Sequence, residues 1–228
     1  MKGIVFDAGP IISLGMNNLL WILEELKLRF DGAFLLPGGA KRELVDRPLQ
    51  TRRFKFEALQ VQSLLDKGVF TLVDNSAMRK DARALLNLAN RILSAKGHSM
   101  RIVQIGEMEA IATALRGGFK TLVIDERVTR TLIEEPEYLH KLMEKKLHTR
   151  LKLNKRLLNE FSRKVKDLKI IRSIELVTVA FEKGILDRFI TSVPNARREL
   201  LESILWGLKL DGASVSESEI NELVRMHE

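Results

Sequence analysis

Short apolar segments alternate with longer amphipathic segments along most of this chain. The apolar segments, at residues 2–7, 33–36, 69–74, 121–125 and 168–172, are predicted strands, because short apolar runs bounded by turn residues are typical of buried strands. The segments between them carry apolar residues at spacings of three and four, which indicates helices. This alternation predicts an α/β fold, with helices on both faces of a mainly parallel central sheet in a three-layer α/β/α arrangement.

The ends of the predicted helices follow from glycine, proline and polar capping residues. We predict helices over residues 10–30, 40–46, 49–66, 76–95, 106–115, 173–183, 195–208 and 216–226, and the start of another at residue 126. Every predicted connection between two strands therefore contains a helical segment, as parallel strands require.

Acidic residues close three of the predicted strands, namely Asp7, Asp74 and Asp125. Because ligand sites in open α/β sheets lie at the carboxyl ends of the strands, we expect these acids near one edge of the sheet. Glu43 lies on the short helix after the second strand, and Glu107 lies in the first turn of a later helix. Carboxylate oxygens are the ligands that Mg²⁺ and Mn²⁺ prefer, and the chain contains no cysteine. The sequence therefore predicts a divalent-cation site of the kind that hydrolyses phosphodiesters.

The helix at residues 106–115 offers two candidate acids, Glu107 and Glu109. At ~100° per residue they lie ~200° apart around the helix, so we expect one site to use only one of them. The apolar face of the helix lies between the two acids, and each flanks it at a similar angle. Helical periodicity therefore leaves the choice between them open.

Four motifs occur along the chain in the order FDAGPIISLG, the short helix with Glu43, GEMEAIATAL and LVIDERVTR. In this order they resemble the motifs of PIN-domain (PIN-like) nucleases, in the archaeal branch of that family. The segment IIRSIELVTVAFEKGIL also resembles the last strand of the family and the helix after it. The resemblance covers residues 1–133 and 168–185, and it selects Glu107 as the matching acid. Most members have Asp at that position, so the longer Glu bears on metal preference.

The resemblance implies a metal-dependent endoribonuclease with four catalytic carboxylates: Asp7, Glu43, Glu107 and Asp125. Asp7, Glu107 and Asp125 would hold one or two Mg²⁺ or Mn²⁺ ions, and Glu43 would complete the site or orient the water. RNA is the implied substrate. Two alternatives stay open, because some PIN-like domains are catalytically silent RNA-binding or assembly modules and others are toxins of toxin–antitoxin pairs. A homodimer and an antitoxin protein are therefore further expected partners.

The whole net positive charge of the chain lies in residues 139–169. This segment holds 11 Lys and Arg against 3 Asp and Glu, whereas the rest of the chain has 27 of each. Its apolar residues recur at helical spacing, which predicts two amphipathic helices in a hairpin. It contains almost no aromatic residues, which favours contacts with phosphates over stacking with bases. The residues expected to bind RNA are Lys145, Lys146, Arg150, Lys152, Lys155, Arg156, Arg163 and Lys164.

The resemblance and the charge pattern together predict the domain organisation. Residues 1–190 are predicted to form the PIN-like domain, with the basic segment as an insertion at about 134–167. Residues 191–228 are predicted to form a helical extension packed on it. No apolar run is long enough to span a membrane, and the first apolar run breaks at Asp7. We therefore expect a cytoplasmic protein without a membrane partner.

Overall fold

The computed structural model of the chain describes residues 2–227 and contains two sheets. The strands are β1 (Gly3–Phe6), β2 (Ala33–Pro37), β3 (Phe70–Val73), β4 (Leu93–Ala95), β5 (His98–Ser99), β6 (Thr121–Val123), β7 (Lys152–Leu153) and β8 (Lys169–Ile171). The main sheet has the order β3-β2-β1-β6-β8, and all of its neighbouring strands are parallel. The smaller sheet has the order β5-β4-β7 and is antiparallel. β1 therefore lies at the centre of the main sheet.

Helices connect the strands and continue to the end of the described chain. They are α1 (Ala8–Met16), α2 (Ile22–Arg29), α3 (Gly38–Lys41), α4 (Arg47–Leu49), α5 (Lys55–Asp66), α6 (Ser76–Ala89), α7 (Ile105–Gly117), α8 (Arg127–Glu134), α9 (Pro136–Leu147), α10 (Lys155–Val165), α11 (Ser173–Glu182), α12 (Ala196–Leu210) and α13 (Glu217–Met226). A π-helical turn, Arg42–Asp46, joins α3 to α4, and a 3-10 turn, Asp187–Phe189, follows α11.

Two apolar cores lie on opposite faces of the main sheet. Phe6 belongs to the first core, with side chains of α1, α2, α5, α11, α12 and α13. Val5 belongs to the second, with side chains of α6 to α10. Successive residues of a strand face opposite sides of the sheet, so β1 contributes to both cores. The predicted three-layer α/β/α fold with a mainly parallel central sheet is confirmed.

The prediction of one helix over residues 10–30 is wrong, because the chain forms α1 and α2 with a turn between them. Asn18 lies in this turn with a φ of 55°, a left-handed conformation that Asn tolerates better than most residues. Leu19 and Leu20 follow it and are buried in the first core. Their apolar side chains continue the helical pattern through a turn that is not helical.

The prediction of a helix over residues 76–95 is also wrong beyond Ala89. The Asn90 side chain accepts hydrogen bonds from the N–H of Ile102 (2.7 Å) and Val103 (3.0 Å), and it donates one to the Val103 carbonyl. A side chain that binds backbone groups in this way competes with helix formation. The residues after it instead form β4, which pairs with β5 and β7.

Helical structure passes through Pro48, where the prediction ended a helix, and then stops until α5 begins at Lys55. The π-helical turn before Arg47 starts a new helical turn, so Pro48 occupies a first-turn position in which its missing N–H costs nothing. The segment 50–54 is not helical, and it ends at Phe54 with a φ of 60°. The predicted helix over residues 49–66 is therefore wrong over residues 50–54, which separate α4 from α5.

The basic segment contains the two predicted helices, α9 and α10. Their apolar sides, with Leu139, Met143, Phe161 and Val165, are buried in the second core. Between them β7 pairs with β4, so the segment is also joined to the main body by backbone hydrogen bonds. The eight basic residues expected to bind RNA are all exposed.

The last two helices, α12 and α13, form where the sequence predicts them. Leu201, Leu205, Leu208, Ile220 and Val224 bury their side chains in the first core, beside α1 and α11. The helical extension therefore packs on the layer that carries α1. Among residues 2–227, no helix is both long and apolar enough to cross a membrane.

Candidate active site

Asp7 lies at the middle of the carboxyl edge of the main sheet, directly after β1. Its backbone N–H donates to the Val123 carbonyl of β6 (3.0 Å), and its carboxylate accepts from the Gly9 N–H (3.4 Å) as the N-cap of α1. The residue is 8% exposed. It lines a cleft of about 360 Å³, which we call the acidic cleft because five carboxylates line it: Asp7, Glu43, Glu107, Glu109 and Glu126.

Glu43 lies in the π-helical turn Arg42–Asp46 and lines the same cleft. A Cβ atom placed on Gly106 would lie 3.8 Å from Oε2 of Glu43 and 3.9 Å from Oδ1 of Asp7. Glu43 and Asp7 therefore flank the first turn of α7, although they come from different elements. The structure thus brings two of the four predicted carboxylates together, as the strand-end argument expects.

Glu107 and Glu109 both line the cleft at the start of α7, and each residue is 8% exposed. The expectation that one site uses only one of them stays a prediction. Glu109 accepts hydrogen bonds from Arg42 at 2.9 and 3.1 Å, so its charge is paired. Glu107 accepts a hydrogen bond from the Gln104 N–H (2.8 Å) in a capping box and takes part in no ion pair within the described chain. Glu107 is therefore the acid whose charge is left for a ligand.

Asp125 follows β6, the strand that pairs with β1, but it is not among the residues that line the acidic cleft. Its Oδ1 accepts from the Ser173 N–H (2.7 Å), and its Oδ2 accepts from the hydroxyls of Ser173 (2.8 Å) and Ser13 (3.0 Å). These bonds join the end of β6 to α1 and to the start of α11. The role of Asp125 as a metal ligand stays a prediction, whereas its contribution to holding the site together is visible.

We expect Asp125→Asn to lower the free energy of unfolding by about 1–3 kcal/mol, because the amide has one acceptor oxygen where three groups donate to the carboxylate, so at least one of these hydrogen bonds must break or reverse. Urea unfolding followed by circular dichroism measures this loss. Asp81→Asn is the matched control, since Asp81 pairs with Arg116 at the surface and such pairs contribute about 0–1 kcal/mol. Equal stability of Asp125→Asn and the wild-type protein would contradict this account.

Three arginines that no sequence motif singles out also line the acidic cleft. Arg42 forms ion pairs with Glu109 and Asp74. In contrast, the side chains of Arg47 and Arg101 take part in no ion pair or hydrogen bond within residues 2–227. Both lie close in sequence to a predicted acid, which is the only signal that points to them. Glu126, which caps α8, is a further cleft residue that the sequence analysis leaves out.

Burial raises the pKa values of three carboxyl groups, those of Asp7 and Glu107 in the cleft and that of Asp125 after β6. Burial raises the pKa of Asp7 to about 7, and the charges of Glu107 and Glu43 add to this shift. Burial also raises the pKa of Glu107, with smaller additions from Glu126 and Glu43. Asp125 has a raised pKa because burial outweighs the hydrogen bonds from the two serines. The charged forms of these groups are thus disfavoured in the protein alone, and a bound cation would favour them.

The donor chemistry of the cleft fits a hard divalent cation, because every candidate ligand is a carboxylate oxygen. Within the described chain, however, no three Asp, Glu or His side chains already stand in an arrangement that could hold a metal ion. Asp7 and Glu107 lack a cationic partner in residues 2–227, and Glu43 is exposed and close to Asp7. Asp7 and Glu107 are therefore the residues that would hold an ion, and Glu43 would complete the site beside them.

The eight predicted RNA-binding residues do not share one surface. Lys146 of α9 lines a second cleft, together with Arg101, Glu107 and Glu126, so this cleft continues directly from the acidic one. Lys164 of α10 instead lines a groove between α6, α7 and α10, beside the far end of α7. The insertion thus contributes one cation next to the carboxylates and at least one, Lys164, to a separate groove.

Comparisons of the chain with protein-family models, with curated proteins and with solved structures return no match. The resemblance to PIN-domain nucleases therefore rests on the motifs and stays a prediction. The α/β/α fold and the carboxylates at the edge of its sheet are the structural observations that a functional proposal has to explain.

Proposed function

We propose that the chain is a metal-dependent endoribonuclease of the PIN-like type, with the acidic cleft as its active site. The observation that carries this proposal is the convergence of Asp7, Glu43 and Glu107 from three separate elements at the carboxyl edge of a parallel sheet. Two arginines without an acidic partner in the described chain line the same cleft. Carboxylates that hold a cation and arginines that meet phosphates are the two requirements for hydrolysing a nucleic-acid backbone.

In this proposal Asp7 and Glu107 hold Mg²⁺ or Mn²⁺, which supplies charge neutralisation at the phosphate and an activated water when bound. Glu43 is exposed and adjacent to Asp7, so it orients the attacking water and accepts its proton. Arg47 and Arg101 bind the phosphates on either side of the cleaved bond. Asp125 acts as a positioning residue, because its serine partners hold α1 and α11 in place behind Asp7.

Cleavage of a labelled single-stranded RNA by the purified protein tests the proposal. We expect cleavage with Mn²⁺ or Mg²⁺, no cleavage with EDTA, and no cleavage by Glu107→Gln. Glu109→Gln is the matched comparison on the same helical turn, and it should retain more activity because Glu109 is paired with Arg42. Cleavage that persists in EDTA or in Glu107→Gln would show that this site is not responsible.

The two placements of basic residues predict different effects of charge reversal. We expect Lys146→Glu to weaken RNA binding about tenfold and to reduce the slope of log affinity against log salt by about 1–2, because Lys146 lines the cleft beside Glu107. Lys164→Glu has the same change in charge on a distant groove and should alter binding much less. Anisotropy titrations in EDTA at several salt concentrations measure both. Equal effects of the two variants would mean that RNA does not follow this cleft.

A catalytically silent RNA-binding module is the second candidate. It is favoured by the absence, within residues 2–227, of three side chains already arranged to hold a metal ion. Salt-sensitive RNA binding without cleavage at any metal concentration would select this function over the first. Either activity belongs in the cytoplasm, and a homodimer or an antitoxin protein as partner stays a prediction.

A further inference from the structure

An apolar pocket of about 120 Å³ adjoins the acidic cleft. Its walls come from α1, the π-helical turn, α5 and the segment between α4 and α5, and they include Ile12, Met16, Leu44 and Phe54. Glu43 lines both this pocket and the acidic cleft, so the two cavities share a wall. The volume is far below the roughly 300 Å³ of a site for a drug-sized ligand, which limits an occupant to a small ring system.

The mouth of this pocket offers an aromatic ring. Phe54 is 41% exposed, and the guanidinium of Arg53 lies 4.6 Å from its ring centroid. Its φ of 60° is a conformation that bulky side chains seldom adopt, and the residue lines the pocket together with Ile12 and Met16. Exposed rings of this kind are the platforms on which single-stranded nucleic acids stack their bases.

The pocket wall is almost wholly apolar, and the two polar side chains that border it are acceptors. Among the described residues that line it, Glu43 and Glu57 are the only side chains that form strong hydrogen bonds, and ionised carboxylates accept hydrogen bonds without donating them. Cytosine, adenine and guanine carry exocyclic amino groups that donate to a carboxylate, whereas the donor on the pairing edge of uracil, its N3–H, lies between two carbonyl oxygens that a carboxylate repels. The pocket therefore discriminates against uracil by its chemistry.

We infer that this pocket binds one unstacked base, next to the cleaved phosphodiester, and prefers bases with an amino group. Phe54 stacks on the base, and Glu57 accepts a hydrogen bond from its amino group. Because Glu43 lines both cavities, the bound base lies next to the carboxylates of the acidic cleft. The inference deepens the proposed nuclease function and rests on it for the position of the cleaved bond. Base binding itself requires no cleavage, so it can be tested separately.

The alternative occupant of this apolar surface is a second copy of the chain. A copy would cover the rim formed by the exposed Ile12, Met16 and Phe54, but it would also bury Glu43 and Glu57 against apolar surface. Burying carboxylates without a partner is costly, whereas a base with an amino group satisfies them. The small concave shape and its continuity with the acidic cleft also favour a base.

The test is a binding measurement with the full chain in EDTA. Three fluorescein-labelled hexamers serve as probes: hexacytidylate, hexauridylate and a hexamer of abasic ribose phosphates. Phe54→Asn removes the ring, and Asn suits the left-handed backbone, so folding is preserved. Phe54→Tyr keeps the ring. Phe56→Asn is the matched control, because Phe56 is 69% exposed and lies outside the pocket.

We expect the wild-type protein to bind hexacytidylate about tenfold more tightly than the abasic hexamer, since stacking of one base contributes a factor of this size. Phe54→Asn should lose that factor, whereas Phe54→Tyr and Phe56→Asn should keep it. Hexauridylate should bind less tightly than hexacytidylate, and Glu57→Gln should reduce this difference.

Equal binding of the abasic hexamer and hexacytidylate, no binding of any hexamer, or equal affinities of Phe54→Asn and Phe56→Asn would overturn the inference. A change from dimer to monomer in Phe54→Asn, with base binding unaltered, would assign the surface to a second copy. Base-dependent binding without cleavage would refute the nuclease proposal and retain the pocket. Cleavage together with equal binding of hexacytidylate and the abasic hexamer would support the nuclease proposal and refute the base-binding pocket.

Discussion

Asp7→Asn is expected to abolish metal-dependent RNA cleavage and, without metal, to raise the free energy of unfolding at pH 8 by up to about 4 kcal/mol. Burial raises the pKa of this carboxyl from 3.8 to about 7, and one pKa unit corresponds to about 1.4 kcal/mol. Asn has nearly the same shape and carries no charge to bury. Asp7→Asn should therefore abolish activity and also remove the free-energy cost of burying a charged carboxylate in the folded protein.

The pH dependence follows from the direction of this shift. Because the folded protein holds the proton more tightly than the unfolded chain, the wild-type protein loses stability as the pH rises from about 4 to about 7. Asp7→Asn should lack this part of the loss of stability, so the wild-type protein and the variant should have similar free energies of unfolding below pH 4. Glu107 and Asp125, whose pKa values are also raised, retain their share of the decline in both.

Urea unfolding in EDTA at pH 4, 5.5, 7 and 8 measures these differences. Asp74→Asn is the control, because Asp74 also follows a strand but pairs with Arg42 and Arg79. Its removal should change stability by less than about 1 kcal/mol, in the destabilising direction. Mn²⁺ should then raise the melting temperature of the wild-type protein and leave that of Asp7→Asn unchanged. A less stable Asp7→Asn at pH 8 would contradict the assignment of a strained, buried charge.

Phe161→Ala is expected to lower the free energy of unfolding by about 3–5 kcal/mol, the usual cost of emptying a buried phenylalanine site. Phe161 lies on α10 of the basic segment, yet it is fully buried in the second core with side chains of α6 and α8. The insertion thus forms part of the main core and does not fold as a separate unit. Unfolding should remain a single transition with a lower midpoint.

Phe56→Ala provides the matched comparison, since Phe56 is 69% exposed and its truncation should cost less than about 1 kcal/mol. Denaturation is followed both by circular dichroism and by tryptophan fluorescence, because Trp21 and Trp206 pack against the first core. A loss below 1 kcal/mol for Phe161→Ala, or a separate early transition, would show that α9 and α10 unfold independently of the sheet.

The fold class and much of the site follow from local patterns in the sequence. Asp7 follows a short apolar strand, and the order of a parallel sheet then places it at a ligand-binding edge. The choice between Glu107 and Glu109 depends on Arg42, which comes from a distant segment and pairs with only one of them. Helical periodicity contains no information about such a partner, so both acids look alike in the sequence.

Other parts of the molecule are set by contacts that periodicity does not report. Apolar residues after Ala89 continue the helical pattern, but the Asn90 side chain binds the segment before α7 and ends the helix. Arg47 and Arg101 have no distinctive spacing, and only the folded arrangement places them beside the carboxylates. The direction of the Asp125 carboxylate likewise depends on Ser13 and Ser173, which lie far from it in sequence.

The hydrogen bonds of Asp125 have a consequence for the protein during its synthesis. Ile4 of the central strand pairs with Thr121, and Asp125 accepts a hydrogen bond from the Ser173 N–H. The sheet edge that carries the acids therefore joins residues that are synthesised early with residues that are synthesised late. Pairings between such distant residues form slowly and only when both partners are present. A chain still attached to the ribosome and lacking α11 therefore lacks the Ser173 hydrogen bonds that fix the Asp125 carboxylate. Under the proposed function, in which Asp125 positions the site, full activity is expected only after α11 has been made.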